Sequence, residues 1–182
     1  MASMYRIAPL DLESERSGFQ CGVEALDRYF RERVTQDIRR RITSCFVALD
    51  QQNRIAGFYT LAATSVLLAD LPEIVARKLP RYPSVPAIRI GRLAVDQAAR
   101  GQGLGAALLA DALSRSTESD IAGFALVVDA KDDSAAAFYL HHGFLPFADQ
   151  PRTLFLPLTA ELTPKAPQMG RQSKASRIIG FA

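Results

Sequence analysis

Tryptophan is missing from the 182-residue chain, and cysteine and histidine are nearly so: Cys21, Cys45, His141 and His142 complete both inventories. Two thiols cannot build a disulfide framework, and with one adjacent histidine pair they make a zinc site improbable. No apolar run reaches the roughly 18 residues that a membrane-spanning helix needs. The opening MASMYRIAPLDLESERSG lacks the charged-then-apolar layout of a secretion signal. These absences point to a reducing cytosol and to no membrane partner. What remains is the balance of a soluble globular protein, 48% hydrophobic and 23% charged, of a size for one domain.

Acidic charge is scarce in one section only. Residues 28–100 hold 13 basic groups against 6 acidic ones, whereas residues 1–27 and 101–159 are net negative. A domain that is neutral overall but basic in one section implies a polyanionic partner on one side; a solvated Arg-rich face is the blander alternative. Residues 160–182 shift to Pro, Lys, Gln, Ser and Gly and read as a basic, mostly flexible tail after a domain over 1–159.

The chain is punctuated like a mixed α/β protein. YRIAPL (5–10) reads as an opening strand. Val23, Leu26, Phe30, Val34 and Ile38 step by three and four and predict one amphipathic helix across 24–41, its outer face rich in arginine. CFVALD (45–50) and IAGFYTLAATSV (55–66) predict two strands joined by a tight polar turn, and 71–79 a short helix ending before Pro80. AIRIGRLAVD (87–96) predicts a strand, 103–115 a helix, and FALVVDA (124–130) a strand buried on both faces. SAAAFYLHH (134–142) predicts a helix stopped by Gly143, and FLPF and TLFLPL two last strands. Both histidines fall at that helix end, where a capping or exposed role is expected.

Chemistry concentrates in GRLAVDQAARGQGLGAALLADAL (91–113). A strand ends at Val95, and Arg100-Gly101-Gln102-Gly103-Leu104-Gly105 opens a helix. Glycines there let successive N–H groups face outward, and a helix start favours an anion by about 0.3–1 kcal/mol. Arg100 adds a full charge at the rim, so the segment reads as a pyrophosphate cradle. A nucleotide P-loop would need Lys-Ser/Thr after its last glycine, where Ala106-Ala107 stands. A dinucleotide fold would need G-x-G-x-x-G near the start of a βαβ unit, and neither spacing nor position fits.

Arg-x-x-Gly-x-Gly after a strand ending in Leu93-Ala94-Val95-Asp96 resembles motif A of the GNAT acetyltransferases, which cradle the pyrophosphate of acetyl-CoA. Ala-Ala-Ala-Phe-Tyr-Leu-His-His-Gly-Phe (135–144) resembles their motif B, where a tyrosine faces the thioester; here it is Tyr139. The resemblance implies an α/β fold, a single GNAT domain with a mixed central sheet, splayed parallel strands and flanking helices. It implies acetyl-CoA as cosubstrate, held by Arg100, Gly101, Gln102, Gly103, Leu104, Gly105 and Ala106. Main-chain groups of Leu93, Ala94 and Val95 would meet the thioester oxygen and the pantetheine amides. Tyr139, a phenol with pKa near 10, would protonate the departing thiolate. The family often has Asn seven residues before this tyrosine, where Asp132 stands.

No general base is evident, because the section 55–95 carries only Asp70 and Glu73 before Asp96. An amine that arrives largely neutral suits that poverty: an α-amine, pKa about 7.7–8.0, needs far less help than a lysine at about 10.4. FQCGVEALDRYF (19–30), IGRLAVD (90–96), DIAGFALVVDAKD (120–132) and TLFLPL (153–158) are similar to the GNAT-fold toxins of bacterial toxin–antitoxin modules. Those toxins acetylate the α-amine of aminoacyl-tRNA. That resemblance implies a tRNA surface of Arg33, Arg77, Lys78, Arg89, Arg92 and neighbouring helix arginines. It implies a ribbon–helix–helix antitoxin and a homodimer. A GNAT enzyme for a small amine or a protein N-terminus is the alternative, and carboxylates in the acceptor pocket would favour it.

Overall fold

In a computed structural model describing residues 4–163, the apolar runs become seven strands of one sheet. They are β1 (Arg6–Pro9), β2 (Ser44–Leu49), β3 (Ile55–Leu67), β4 (Ser84–Val95), β5 (Ala125–Asp129), β6 (Leu145–Pro146) and β7 (Thr153–Pro157). Their spatial order is β1-β2-β3-β4-β5-β7-β6. Only β4 and β5 run parallel, joined through the crossover helix α4 (Leu104–Thr117). Helices α1 (Glu24–Glu32), α2 (Val34–Arg39), α3 (Glu73–Ala76) and α5 (Asp133–His141) complete the fold. No described helix is long and apolar enough to cross a membrane.

The two sheet faces are covered by different helices. Tyr59, Ile90, Leu126 and Val128 point to one face, where they meet Leu104 and Leu108 of α4 and Ala136 and Tyr139 of α5. On the other face, Phe30 of α1 stacks on Phe58 with centroids 4.1 Å apart, in a cluster with Val34, Val47 and Ala94. Further along that same face, Val75 of α3 covers Ala87, Val127 and Phe155. Burying these side chains supplies about 1.5–3 kcal/mol each and fixes strand register, because a one-residue slip would turn every one of them to the wrong face.

One slip does occur, and it is local. Thr60 faces Arg92 while Leu61 faces Ile90, so Gly91 is an extra residue in β4. A bulge inverts the alternation beyond it. Arg89, opposite Ala62, and Arg92, opposite Thr60, therefore share the face covered by α1–α3. Cβ at Gly91 would lie 3.0 Å from Thr60 Oγ1, tighter than ordinary contact.

The single helix expected across 24–41 is instead two. At Arg33 φ is −119°, which interrupts the ladder; its N–H still caps α1 on Tyr29 O, and its carbonyl starts α2. The apolar stripe survives because the bend carries Val34 over the same cluster as Phe30. The helix expected over 71–79 contracts to Glu73–Ala76 with turns on either side. Strand β4 begins three residues before the expected start, at Ser84, with Pro86 inside it. The pyrrolidine sits where β4 runs past the β5 ladder, and its carbonyl accepts the Phe124 N–H at 2.8 Å. Residues 160–163 form turns; the remainder of the expected tail lies outside the described residues.

Candidate active site

Strands β4 and β5 share only three residue pairs, Ile88–Leu126, Arg89–Val127 and Ile90–Val128. After Ile90 the bulge turns β4 away, and it follows β3 alone through Val95. Strand β5 stays with β7 as far as Asp129–Thr153. A wedge therefore opens in the sheet, bordered by the main chain of Leu93, Ala94 and Val95. Ala94 is buried beneath α1, while Leu93 and Val95 face the α4–α5 side. Side chains leave the backbone of this stretch as the surface that borders the wedge.

The wedge leads into the glycine loop. Asp96 accepts the N–H of Ala98 at 2.9 Å and of Gln20 at 2.9 Å, which ties the loop to the N-terminal segment. Gly101 and Gly103 have φ of +74° and +75°, and open space lies where their Cβ atoms would stand. Gly103 is the N-cap of α4 and lacks a side chain to cap it. Helix geometry leaves the first-turn N–H groups, from Leu104 to Ala106, without intrahelical acceptors. The side chain of Leu104 is buried in the core, so it can offer only its amide here. Gly105 lies against the ring of Phe138, 3.7 Å from where its Cβ would be. The arrangement fits a diphosphate: a cleft floored by amides, at the positive end of a 14-residue helix.

Two cradle side chains point elsewhere. Arg100 donates from Nη2 to the carbonyl of Cys21, which orients the guanidinium toward the N-terminal segment. Gln102 accepts a hydrogen bond from Tyr5 at 2.7 Å. That segment is held by the buried carboxylate of Asp27, which accepts the Cys21 N–H at 2.7 Å. Burial alone would raise the pKa of Asp27, but donors from Cys21 and Gly22, with Arg31 nearby, hold it below its ordinary value.

Tyr139 sits in the last turn of α5 with its ring edge-on to Phe138 and Phe144, at centroid distances of 5.1 and 5.2 Å. It is 6% exposed, and its hydroxyl has no hydrogen-bond partner among the described residues. Burial pushes the phenol up to about 12, so it is a fully protonated donor at neutral pH. Asp132, standing where the family often has Asn, caps α5 by accepting the Ala135 N–H at 2.8 Å. Its pKa is lowered, chiefly by the hydrogen bond from Lys131 and then by the Ala135 amide. His142 closes the helix, its Nδ1 2.7 Å from the Phe138 carbonyl, and His141 is exposed.

The five cations expected to meet a polyanion are not all alike. Arg33 is exposed at the α1–α2 break. Arg92 lies over the ring of Tyr29. Arg77 pairs with Glu73 and Arg89 with Asp129, while Lys78 donates to the carbonyl of Glu161 at 3.1 Å. Arg89 and Arg92 share one face of β4, whereas Arg77 and Lys78 follow α3 at another place on that side of the sheet. Two polar groups that the sequence did not single out lie with them. Thr60 Oγ1 is buried without a partner among the described residues, and Asp129 is a carboxylate at the mouth of the wedge. Strand parity alone put Asp129 on this face.

A parallel pair parted by a bulge, a glycine loop at a helix start and a tyrosine on the next helix define an acyl-CoA transferase of the GNAT type. The chain belongs to the acetyltransferase (GNAT) domain family, whose model matches residues 41–146. It is 41% identical over 130 residues to the tRNA-acetylating toxin of Mycobacterium tuberculosis, covering 70% of this chain and 76% of that one. To the probable toxin TacT of Sinorhizobium fredii it is 32% identical over 163 residues, 84% of this chain and 90% of that one. Solved structures agree. AtaT complexed with acetyl-methionyl-tRNAfMet superposes with a TM-score of 0.78 at 29% identity, over 84% of this chain and 94% of that one. AtaTR bound with AcCoA gives 0.73 at 28%, over 85% and 94%. A Tyr-to-Phe variant of AtaT bound to the C-terminus of the antitoxin AtaR gives 0.72 at 26%, over 86% and 94%.

Proposed function

We propose that the protein transfers the acetyl group of acetyl-CoA to the α-amine of aminoacyl-tRNA, as the toxin of a type II toxin–antitoxin pair that stalls translation. The observation that carries this reading is the wedge after Ile90, which leads on one side to the amides of the glycine loop and on the other to a basic sheet face. Amides at Gly101, Gly103, Leu104, Gly105 and Ala106 hold the diphosphate, and Arg100 adds long-range attraction. The pantetheine lies along Leu93–Val95 as an added strand does, and an N–H there meets the oxyanion.

The amine attacks from the α1–α3 face and its nitrogen bonds to the thioester carbon. The C–S bond breaks, Tyr139, on the opposite face, gives its proton to the sulfur, and the proton that the nitrogen sheds on becoming an amide passes through solvent to restore the phenol. Arg33, Arg77, Lys78 and Arg92 serve the nucleic acid, whose phosphates make binding strongly salt dependent. Charged tRNA is a cytoplasmic substrate, so the protein acts in the cytoplasm. An antitoxin partner is supported by the likeness to AtaT bound to the C-terminus of AtaR; a ribbon–helix–helix fold for that antitoxin and a homodimeric toxin complete the reading.

The test is incubation with labelled acetyl-CoA and total charged tRNA, followed by identification of the blocked amino acid. Label in the aminoacyl ester bears the reading out. Label only in free amines or peptide N-termini, with charged tRNA untouched, overturns it.

A further inference from the structure

The sheet face that receives the acceptor is apolar at both ends and polar between. Phe58 and Ala94 lie under α1 and α2, and Ala87 and Val127 under α3. Between them, paired strands bring Thr60, Arg89 and Arg92 to the surface, and Asp129 follows Val127 by two residues on β5, so it points to the same side. Asp129 is the last residue of β5, immediately beyond the final rung with β4, and therefore stands where the wedge begins. Its carboxylate is oriented from two strands. Arg89 pairs with Oδ2 from β4, and Thr153 donates to Oδ1 from β7 at 2.9 Å. More than half of its side-chain surface is nonetheless open to solvent.

Two neighbouring cations are paired with other carboxylates, and a third lies over a ring. Lys131 turns to Asp132 at 2.8 Å, Arg152 to Asp133 at 2.9 Å, and Arg92 to the Tyr29 ring. An oriented, accessible carboxylate at the entrance for a nucleophile that binds as a cation is a complementary site.

We propose that Asp129 is the acceptor-side carboxylate of the transfer, receiving the α-ammonium of the aminoacyl group, with Arg89 as the residue that positions it. This rests on the aminoacyl-tRNA reading above and corrects the expectation of an acceptor side without a carboxylate: one α-ammonium needs one acid, and it is the basic face beside Asp129 that separates charged tRNA from a small cationic amine. The ammonium docks on Asp129, and one of its protons passes through the carboxylate to water. The freed lone pair then bonds to the thioester carbon, the C–S bond breaks, the sulfur takes the Tyr139 proton, and the second nitrogen proton passes through solvent to restore the Tyr139 phenol. The ammonium has then become an amide, and the net products are amide, thiol and one proton in solution. Arg89 keeps the carboxylate aimed, so it serves Asp129 rather than a phosphate.

Asp129→Asn and Arg89→Gln test this, with kcat/KM for charged tRNA measured at about pH 6 and at about pH 8.5, on either side of the α-amine pKa. The Asn variant is expected to lose about tenfold or more at the lower pH and less than about threefold at the higher, where the amine arrives already neutral. Acetyl-CoA affinity, read by calorimetry, stays at the wild-type value. Arg89→Gln follows the same pH pattern and leaves the salt slope of tRNA binding unchanged, whereas loss of a phosphate contact would lower it by about one. An Asn variant equally impaired at both pH values, unimpaired at both, or weakened toward acetyl-CoA overturns the role of Asp129. A slope reduced by about one overturns the role of Arg89. A wild type that leaves charged tRNA unmodified overturns the acceptor reading and this inference with it; a working wild type beside an unaffected Asn variant overturns this inference alone.

Discussion

Arg92 lays its guanidinium over the ring of Tyr29, 3.4 Å from the centroid, while the Tyr29 hydroxyl donates to Asp37 at 3.0 Å. Burial first, and the Asp37 bond second, push this phenol far above its ordinary pKa, against the pull of Arg92. A guanidinium held over an aromatic face keeps donors for a phosphate, and the cation–π contact itself contributes about 0.5–2 kcal/mol.

Replacing Arg92 by Ala is therefore expected to weaken aminoacyl-tRNA binding and to reduce its salt slope by about one, with acetyl-CoA binding intact. Arg92→Lys will not restore wild-type affinity, because an ammonium cannot stack while presenting two parallel donors. Filter binding across a salt series checks both statements.

Tyr139→Phe removes a proton donor and almost no volume. The expected result is a fall in kcat of about a hundred- to ten-thousand-fold with acetyl-CoA affinity unchanged. In the wild type, deprotonation of this phenol does not limit the rate until the pH nears the raised value of about 12, rather than near the ordinary value of about 10. Induced expression in a bacterium gives the same contrast in growth: arrest for the wild type, relief for the Phe variant.

Gly57 tests the scaffold apart from the chemistry. Its Cβ would stand 2.9 Å from Leu108 Cδ1 and 3.1 Å from the Ala94 carbonyl. The leucine tip can shift and the strand oxygen cannot, so Gly57→Ala should destabilise by about 1–3 kcal/mol. Thermal denaturation with and without acetyl-CoA measures it.

Asp27 predicts acid sensitivity. Its folded pKa lies below the ordinary value, so the unfolded chain binds the proton more readily. The stabilisation is present above the unfolded pKa, about 3.9, and is lost as the pH falls through the folded value. Asp27→Asn should accordingly show a smaller drop in urea midpoint between neutral and acid pH than the wild type. An equal drop in both would assign the sensitivity to other carboxylates.

Much of this was legible in the residues. Gly101, Gly103 and Gly105 announce a loop that only a helix start can use, and AAAFYLHHGF places Tyr139 on a short helix ended by a glycine at φ +89°. What escaped was geometry of a single residue. The bulge at Gly91 shows in the sequence only as a one-residue shift of the apolar alternation, from Ile88 and Ile90 to Leu93 and Val95, yet it decides that Arg89 and Arg92 face the same way. The break at Arg33 was hidden because the apolar stripe continues through it. Asp129 was passed over because a carboxylate ending a buried run reads as the edge of a strand. Only pairing with β4 and β7 shows what it looks out upon.

Three rungs join the two halves of the sheet, β1–β4 and β5–β7. On the proposed placement, a thioester past the last rung is the stitch that the backbone omits, so occupancy is expected to tighten a seam rather than merely fill a hole. Heat resistance of the whole domain then reports how much ligand is present, growing as RT ln(1 + [L]/Kd).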